Sequence, residues 1–83
     1  MAGEKFTAYV LVNVDAGLVE EVRDQIRSVP GVQRVVTVTG IYDLIAIAEV
    51  ATAREIAIIV LRQIQKIEGV TETSTLLHLD LDE

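Results

Sequence analysis

The sequence Thr39-Gly40-Ile41-Tyr42-Asp43-Leu44 lies near the middle of the chain and joins two apolar segments, 35–38 and 44–47. Gly40 can adopt a positive φ at little steric cost, so it can reverse the backbone between these segments. The stretch therefore predicts a β-hairpin with Asp43 at its mouth. An aspartate there is placed to hold a small cationic group, and it can equally cap its own turn through the backbone.

The segments on either side of this turn alternate between strand and helix patterns. Asp15 is a candidate N-cap of a first helix, which Pro30-Gly31 ends. Thr52 and Glu55 have the spacing of a capping box, which predicts a second helix from there to about residue 67. Segments rich in β-branched and aromatic residues predict four strands, at 6–14, 32–38, 42–50 and 70–81.

The two halves of the chain resemble each other. A shift of 38 residues places Gln25-Ile26 on Gln63-Ile64 and Gly31-Val32 on Gly69-Val70. The chain is therefore read as two βαβ units in tandem. Side by side, two such units form a ferredoxin-like α+β fold, βαββαβ, with a four-stranded antiparallel sheet and both helices on one face.

The composition predicts that the chain associates with itself. Of its 83 residues, 51% are hydrophobic, which is more than one small core can bury. One face of the predicted sheet has no helix on it, and the strands carry apolar residues in both phases. We therefore expect these faces of two copies to pack together, as in a dimeric α+β barrel, and the dimers to form a dimer of dimers or a larger ring.

Charge and residue counts argue against several classes of function. The net charge of −6 disfavours direct contact with nucleic acid. Cysteine is absent and His78 is the single histidine, so the sequence predicts no metal site and no cofactor. Charges interrupt each apolar segment before it reaches a membrane-spanning length, and the N-terminus lacks a signal-peptide pattern. We expect a cytoplasmic protein without a membrane partner.

The sequence offers little for catalysis. His78 lies among leucines in the last predicted strand, where a structural or surface role is commoner than a catalytic one, so no catalytic residue is predicted. The alternative is a small enzyme, a monooxygenase or an isomerase, on the same dimeric α+β barrel. It would have a deep pocket inside each subunit, with Tyr9 or His78 pointing into it.

Two polar sets remain as a candidate ligand site, the turn 40–43 and the hydroxyls of Thr73 and Thr75. Alternate threonines project from one face of a strand and can donate to a carboxylate, while Asp43 can accept from an ammonium group. The two sets would then hold opposite ends of a zwitterion, although the threonines also fit plain β-propensity. We expect the turn and Thr73 to lie at opposite ends of the sheet, on the order of 20 Å apart at ~3.3 Å per residue. Only different subunits could then bring them together.

Three motifs resemble the effector-binding domain of the Lrp/AsnC family of transcription regulators, also called the RAM domain. They are Val-Pro-Gly-Val at 29–32, Thr-Gly-Ile-Tyr-Asp-Leu at 39–44 and Gly-Val-Thr-Glu-Thr-Ser-Thr at 69–75. The resemblance implies a dimer that assembles further and binds small effectors, commonly amino acids, between dimers. It implies that an effector's amino group is held by Gly40, Tyr42 and Asp43 and its carboxylate by Thr73 and Thr75. An ACT-like amino-acid sensor, which shares the fold, is the other family considered.

Full-length members of that family carry an N-terminal helix-turn-helix, which these 83 residues do not contain. We therefore expect a stand-alone effector-binding domain over residues 1–83, ending in an acidic tail at 80–83. Such a domain could sense amino acids by itself, or it could assemble with a full-length Lrp/AsnC-type regulator and alter its DNA-bound state.

Overall fold

The computed structural model describes residues 5–79, and the predicted order of elements is confirmed. The elements are β1 (Phe6–Val14), α1 (Val19–Arg27), β2 (Val32–Thr37), β3 (Leu44–Val50), α2 (Ala53–Ala57) and β4 (Val70–Leu77). The second helical segment begins as α2, continues as a π-helix (Ile58–Gln63) and ends in a 3-10 turn (Ile64–Lys66). The predicted acidic tail at 80–83 lies outside the described residues.

The four strands form one antiparallel sheet in the order β2-β3-β1-β4. Val12 of β1 pairs with Leu44 of β3 on one side and with Thr73 of β4 on the other. A register shift at Asn13/Val14 marks the end of the ladder between β1 and β4. This arrangement confirms the ferredoxin-like α+β fold, in which β1 is a central strand with a neighbour on each side.

Alternation along the strands sends one set of apolar side chains toward the helices. In β1, Ala8, Val10 and Val12 are fully buried, whereas the residues between them are only partly buried. The helices complete this core with side chains at helical spacing. The fully buried residues of the core are Ala8, Val10, Val12, Val22, Ile26, Leu44, Ala46, Ala48 and Ile64.

The other face of the sheet is apolar at its centre. Leu11 and Ile45 pair across β1 and β3, and Ile45 pairs with Val36 of β2. All three are partly buried within the single chain. We call the surface formed by Tyr9, Leu11, Val36, Ile45 and Ile47 the open sheet face.

The two predicted helix caps differ in outcome. Thr52 caps α2, since its Oγ1 accepts a hydrogen bond from the Glu55 backbone N–H at 3.2 Å, and the Glu55 carboxylate accepts from Ala51 N at 2.9 Å. The Asp15 cap was wrong. The carbonyl of Asp15 accepts from Leu18 N in a turn that precedes the helix, so α1 begins at Val19 with no side-chain cap.

The burial of Ile64 leads to a first prediction about the stability of the chain. Ile64 is fully buried against the sheet, so Ile64→Ala should lower the free energy of unfolding by about 2–5 kcal/mol. On the same helical segment Leu61 is 55% exposed, and Leu61→Ala should change that free energy by no more than about 0.5 kcal/mol. Urea unfolding at one chain concentration measures both. Equal losses would contradict the assigned core.

Candidate ligand site at the end of strand β1

The predicted hairpin is confirmed, but its loop is longer than predicted. Thr37 and Leu44 form the last pair of the β2–β3 ladder, and Val38 N then donates to the carbonyl of Asp43 at 2.9 Å. Gly40 has a φ of +122° within the loop, a conformation that favours glycine. Tyr42 is partly buried and belongs to the loop rather than to β3.

Asp43 attaches this loop to the central strand through both its backbone and its side chain. Its N–H donates to the Val12 carbonyl at 3.0 Å, and its Oδ2 accepts from the Val14 N–H at 2.9 Å. The carboxylate therefore does not cap its own turn, which was one of the two alternatives. It holds the loop against the end of β1, and that bond uses one of its two oxygens.

The expected separation of the two polar sets was wrong. Both β3 and β4 run antiparallel to β1, so both begin where β1 ends. Leu44 and Thr73 flank Val12 from opposite sides, which places their Cα atoms about 10 Å apart, or two strand spacings. One chain therefore brings Asp43 and Thr73 to the same end of its sheet.

The two threonines lie on β4 in the phase that faces the helices. Thr73 pairs with Val12 and Thr75 with Val10, both of which are buried on that side. The Thr73 hydroxyl accepts a hydrogen bond from Gln65 Nε2 at 2.8 Å, whereas Thr75 is exposed. A surface depression of about 270 Å³ surrounds this bond and is lined by Gln65, Val70, Thr71, Glu72 and Thr73.

Sequence reasoning missed three polar residues that the fold brings to this end of the sheet, Asn13, Gln65 and Glu72. Gln65 reaches Thr73 from the end of the second helical segment. Asn13 lies between the start of β3 and the start of β4, and its Nδ2 is 3.4 Å from Glu72 Oε1. The available signal was their position: each is polar and lies within two residues of an element boundary at this end.

The residues of the enzyme alternative lie at the opposite end of the sheet. Tyr9 Oη and His78 Nδ1 are 3.4 Å apart, and His78 is exposed just beyond the end of β4. A surface depression of about 510 Å³ adjoins His78, at the start of β1 and the end of β4. His78 therefore does not point into a pocket between the sheet and the helices.

Within residues 5–79, no cluster of three or more His, Asp or Glu side chains is arranged to hold a metal ion. No helix in that part of the chain is both long and apolar enough to span a bilayer.

Comparison with known proteins identifies the family of this chain. The sequence model described as "Lrp/AsnC ligand binding domain" matches residues 7–81, nearly the whole chain. The chain belongs to the Lrp/AsnC ligand-binding domain family. The match spans all three motifs that resembled this family, and it favours Lrp/AsnC over an ACT-like domain.

Relatives of this Lrp/AsnC domain include a transcription regulator and proteins of known structure. An uncharacterized HTH-type transcriptional regulator from Pyrococcus furiosus is 38% identical over 74 residues, covering 86% of this chain and 49% of the regulator. The chain thus spans about half the length of that relative. The crystal structure of TTHA0845 from Thermus thermophilus superimposes with a TM-score of 0.88 at 33% identity, covering 94% of this chain and 98% of TTHA0845.

The Lrp/AsnC fold also occurs in a more distant regulator solved with a ligand. The structure of transcriptional regulator NMB0573 from Neisseria meningitidis, a complex with L-Met, superimposes with a TM-score of 0.78. It is 18% identical and covers 94% of this chain and 52% of the regulator. At that identity the likeness establishes the shared fold only.

Proposed function

We propose that residues 1–83 act as a cytoplasmic amino-acid-binding regulatory module of the Lrp/AsnC type. In this proposal Gly40, Tyr42 and Asp43 hold the amino group of the ligand, and Thr73 and Thr75 contact its carboxylate. The observation that carries the proposal is the placement of Asp43 and Thr73 on opposite sides of the end of β1. A carboxylate on one side and a hydroxyl on the other suit the two ends of a zwitterion.

The dimensions of an amino acid fit this spacing. With one hydrogen bond at each end, an α-amino acid spans roughly 8 Å, from about 3 Å between its own charged groups and two bonds of about 2.8 Å. The starts of β3 and β4 are about 10 Å apart across β1, which is close to that length. Because the Val14 bond uses Asp43 Oδ2, the ammonium group is assigned to Oδ1.

The comparisons support the class of ligand. The matching family is described as a ligand-binding domain, and the N. meningitidis regulator of the same fold was solved with L-Met. The walls of the pocket around the ligand side chain determine which amino acid binds.

Self-association is the second part of the proposal. The open sheet face is apolar at its centre, and within residues 5–79 no helix packs on it. Packing two such faces together would remove both from water, and a stable dimer needs about 800 Å² from each partner. We propose a dimer built through this face, with further assembly into a dimer of dimers or a ring.

The third part concerns a larger partner. The P. furiosus relative is an HTH-type transcriptional regulator of about twice this length, and this chain matches the ligand-binding domain of the family. A mixed assembly would place fewer DNA-binding segments on the same core. We propose that the module modulates a full-length Lrp/AsnC-type regulator in this way, while making no direct contact with nucleic acid itself.

Isothermal titration calorimetry with each of the twenty L-amino acids tests the proposed function. We expect saturable heat with at least one of them and none with the matching hydroxy acid, which lacks the ammonium group. Absence of binding to all twenty would overturn the sensing role. Gel filtration of the chain mixed with a full-length relative tests the mixed assembly, which separate elution of the two proteins would contradict.

A further inference from the structure

The bond between Gln65 and Thr73 has a direction that matters for the ligand. Gln65 Nε2 donates to Thr73 Oγ1 at 2.8 Å, and both side chains line the depression at the start of β4. A threonine hydroxyl has one proton to donate and two lone pairs with which to accept. Because Gln65 uses a lone pair, the hydroxyl proton stays available to a third group.

We propose that Gln65 is a positioning and specificity-determining residue, which keeps Thr73 as a hydrogen-bond donor and so selects an anionic group at this end of the site. The inference rests on the proposed function and adds a residue to it. With Gln65 in place, the Thr73 proton can point toward a carboxylate, which can only accept. A carboxylate at position 65 would instead take that proton and leave Thr73 with lone pairs alone.

A role in stability alone is a weaker account of this bond. Gln65 is exposed on a short 3-10 turn, and Thr73 is only partly buried. A hydrogen bond between such groups adds little net stability, because water replaces either partner when the bond is lost. The nearby Ile64 side chain, which is fully buried, already anchors this segment to the sheet.

The test is Gln65→Glu, with Gln63→Glu as its matched control. Gln63 is exposed on the same helical segment, two residues earlier, and it lines a different depression beside Pro30. Both substitutions add one negative charge, so their comparison removes the long-range effect of charge. Thermal unfolding of each variant checks that the fold is retained.

Binding is measured by calorimetry with two probes. The first is the tightest-binding L-amino acid of the twenty, and the second is its carboxamide, which keeps the ammonium group but has no carboxylate. For Gln65→Glu we expect about 10- to 150-fold weaker binding of the amino acid, and less than about 3-fold weaker binding of the carboxamide. Gln63→Glu should change either affinity by less than about 3-fold. Gln65→Ala should fall between wild type and Gln65→Glu, because water can replace the lost donor.

The possible failures are separable. If the wild-type protein binds an amino acid and Gln65→Glu weakens both probes equally, or neither, the role of Gln65 is overturned while the proposed function stands. Equal effects of Gln63→Glu and Gln65→Glu would also overturn it, since charge alone would then explain the loss. A wild-type protein that binds none of the twenty amino acids overturns both proposals.

Discussion

Asp43→Asn is expected to weaken amino-acid binding about 10- to 150-fold while leaving the stability of the chain nearly unchanged. Asparagine keeps an oxygen that can accept from Val14 N–H, so the loop can stay attached to β1. It lacks the negative charge that an ammonium group requires for a charge-assisted hydrogen bond. Calorimetry gives the affinity, and thermal unfolding gives the stability.

Asp43→Ala is the companion variant and should lose both properties. Without a side-chain acceptor the Val14 N–H loses its partner, which should cost about 1.5–3 kcal/mol of stability if water does not reach it. The pair of variants therefore separates the two roles of one carboxylate. If Asp43→Asn binds as tightly as wild type while Asp43→Ala unfolds more easily, Asp43 is only a structural residue and the ammonium contact is wrong.

The second large effect is expected at the open sheet face. Ile45 lies between Leu11 and Val36, its apolar partners on the neighbouring strands. If two copies pack through this face, Ile45→Glu places an unpaired charge from each copy into an apolar interface, which is strongly unfavourable. We expect the dimer dissociation constant to rise roughly 100-fold or more, since about 2.7 kcal/mol suffices for that change.

Analytical ultracentrifugation at micromolar concentration measures this effect. The wild-type chain should sediment as a dimer or larger, and Ile45→Glu should approach the 9.1 kDa of a single chain. Leu61→Glu is the control, because Leu61 is an exposed apolar residue on the helical side of the molecule. Wild-type protein that sediments as a single chain would contradict the dimer. If Ile45→Glu assembles like the wild type and keeps its circular dichroism spectrum, the interface lies on another surface.

The fold could be predicted because its local patterns agree with one another. The β1 boundaries match the prediction, since the whole segment from Phe6 to Val14 is β-branched or apolar enough to read as a strand. The predicted start of β3 was wrong. Tyr42 and Asp43 have strand-like neighbours in the sequence, yet regular pairing with β2 and with β1 stops at Leu44, so β3 begins there. The predicted β4 was also too long, since the strand ends at Leu77 and the described residues His78 and Leu79 are not part of it.

The candidate site was predicted by residue type but not by geometry. Asp43 and Thr73 stood out as polar residues beside apolar strands, whereas their distance depends on which strand ends share an edge. Gln65 could not be singled out, because nothing in a helical pattern says which polar residue of the last turn will reach a neighbouring strand. The bond of Asp43 to Val14 joins residues 29 positions apart and has no local signal.

The bond between Asp43 and Val14 also provides a natural reporter of ligand binding. The proton on the Val14 nitrogen can exchange with deuterium only when the loop detaches from β1, because the Asp43 carboxylate holds it in the closed state. A ligand that attracts the same carboxylate alters how often that opening occurs. The deuterium uptake of this single amide would then follow occupancy of the site without any label attached to the protein.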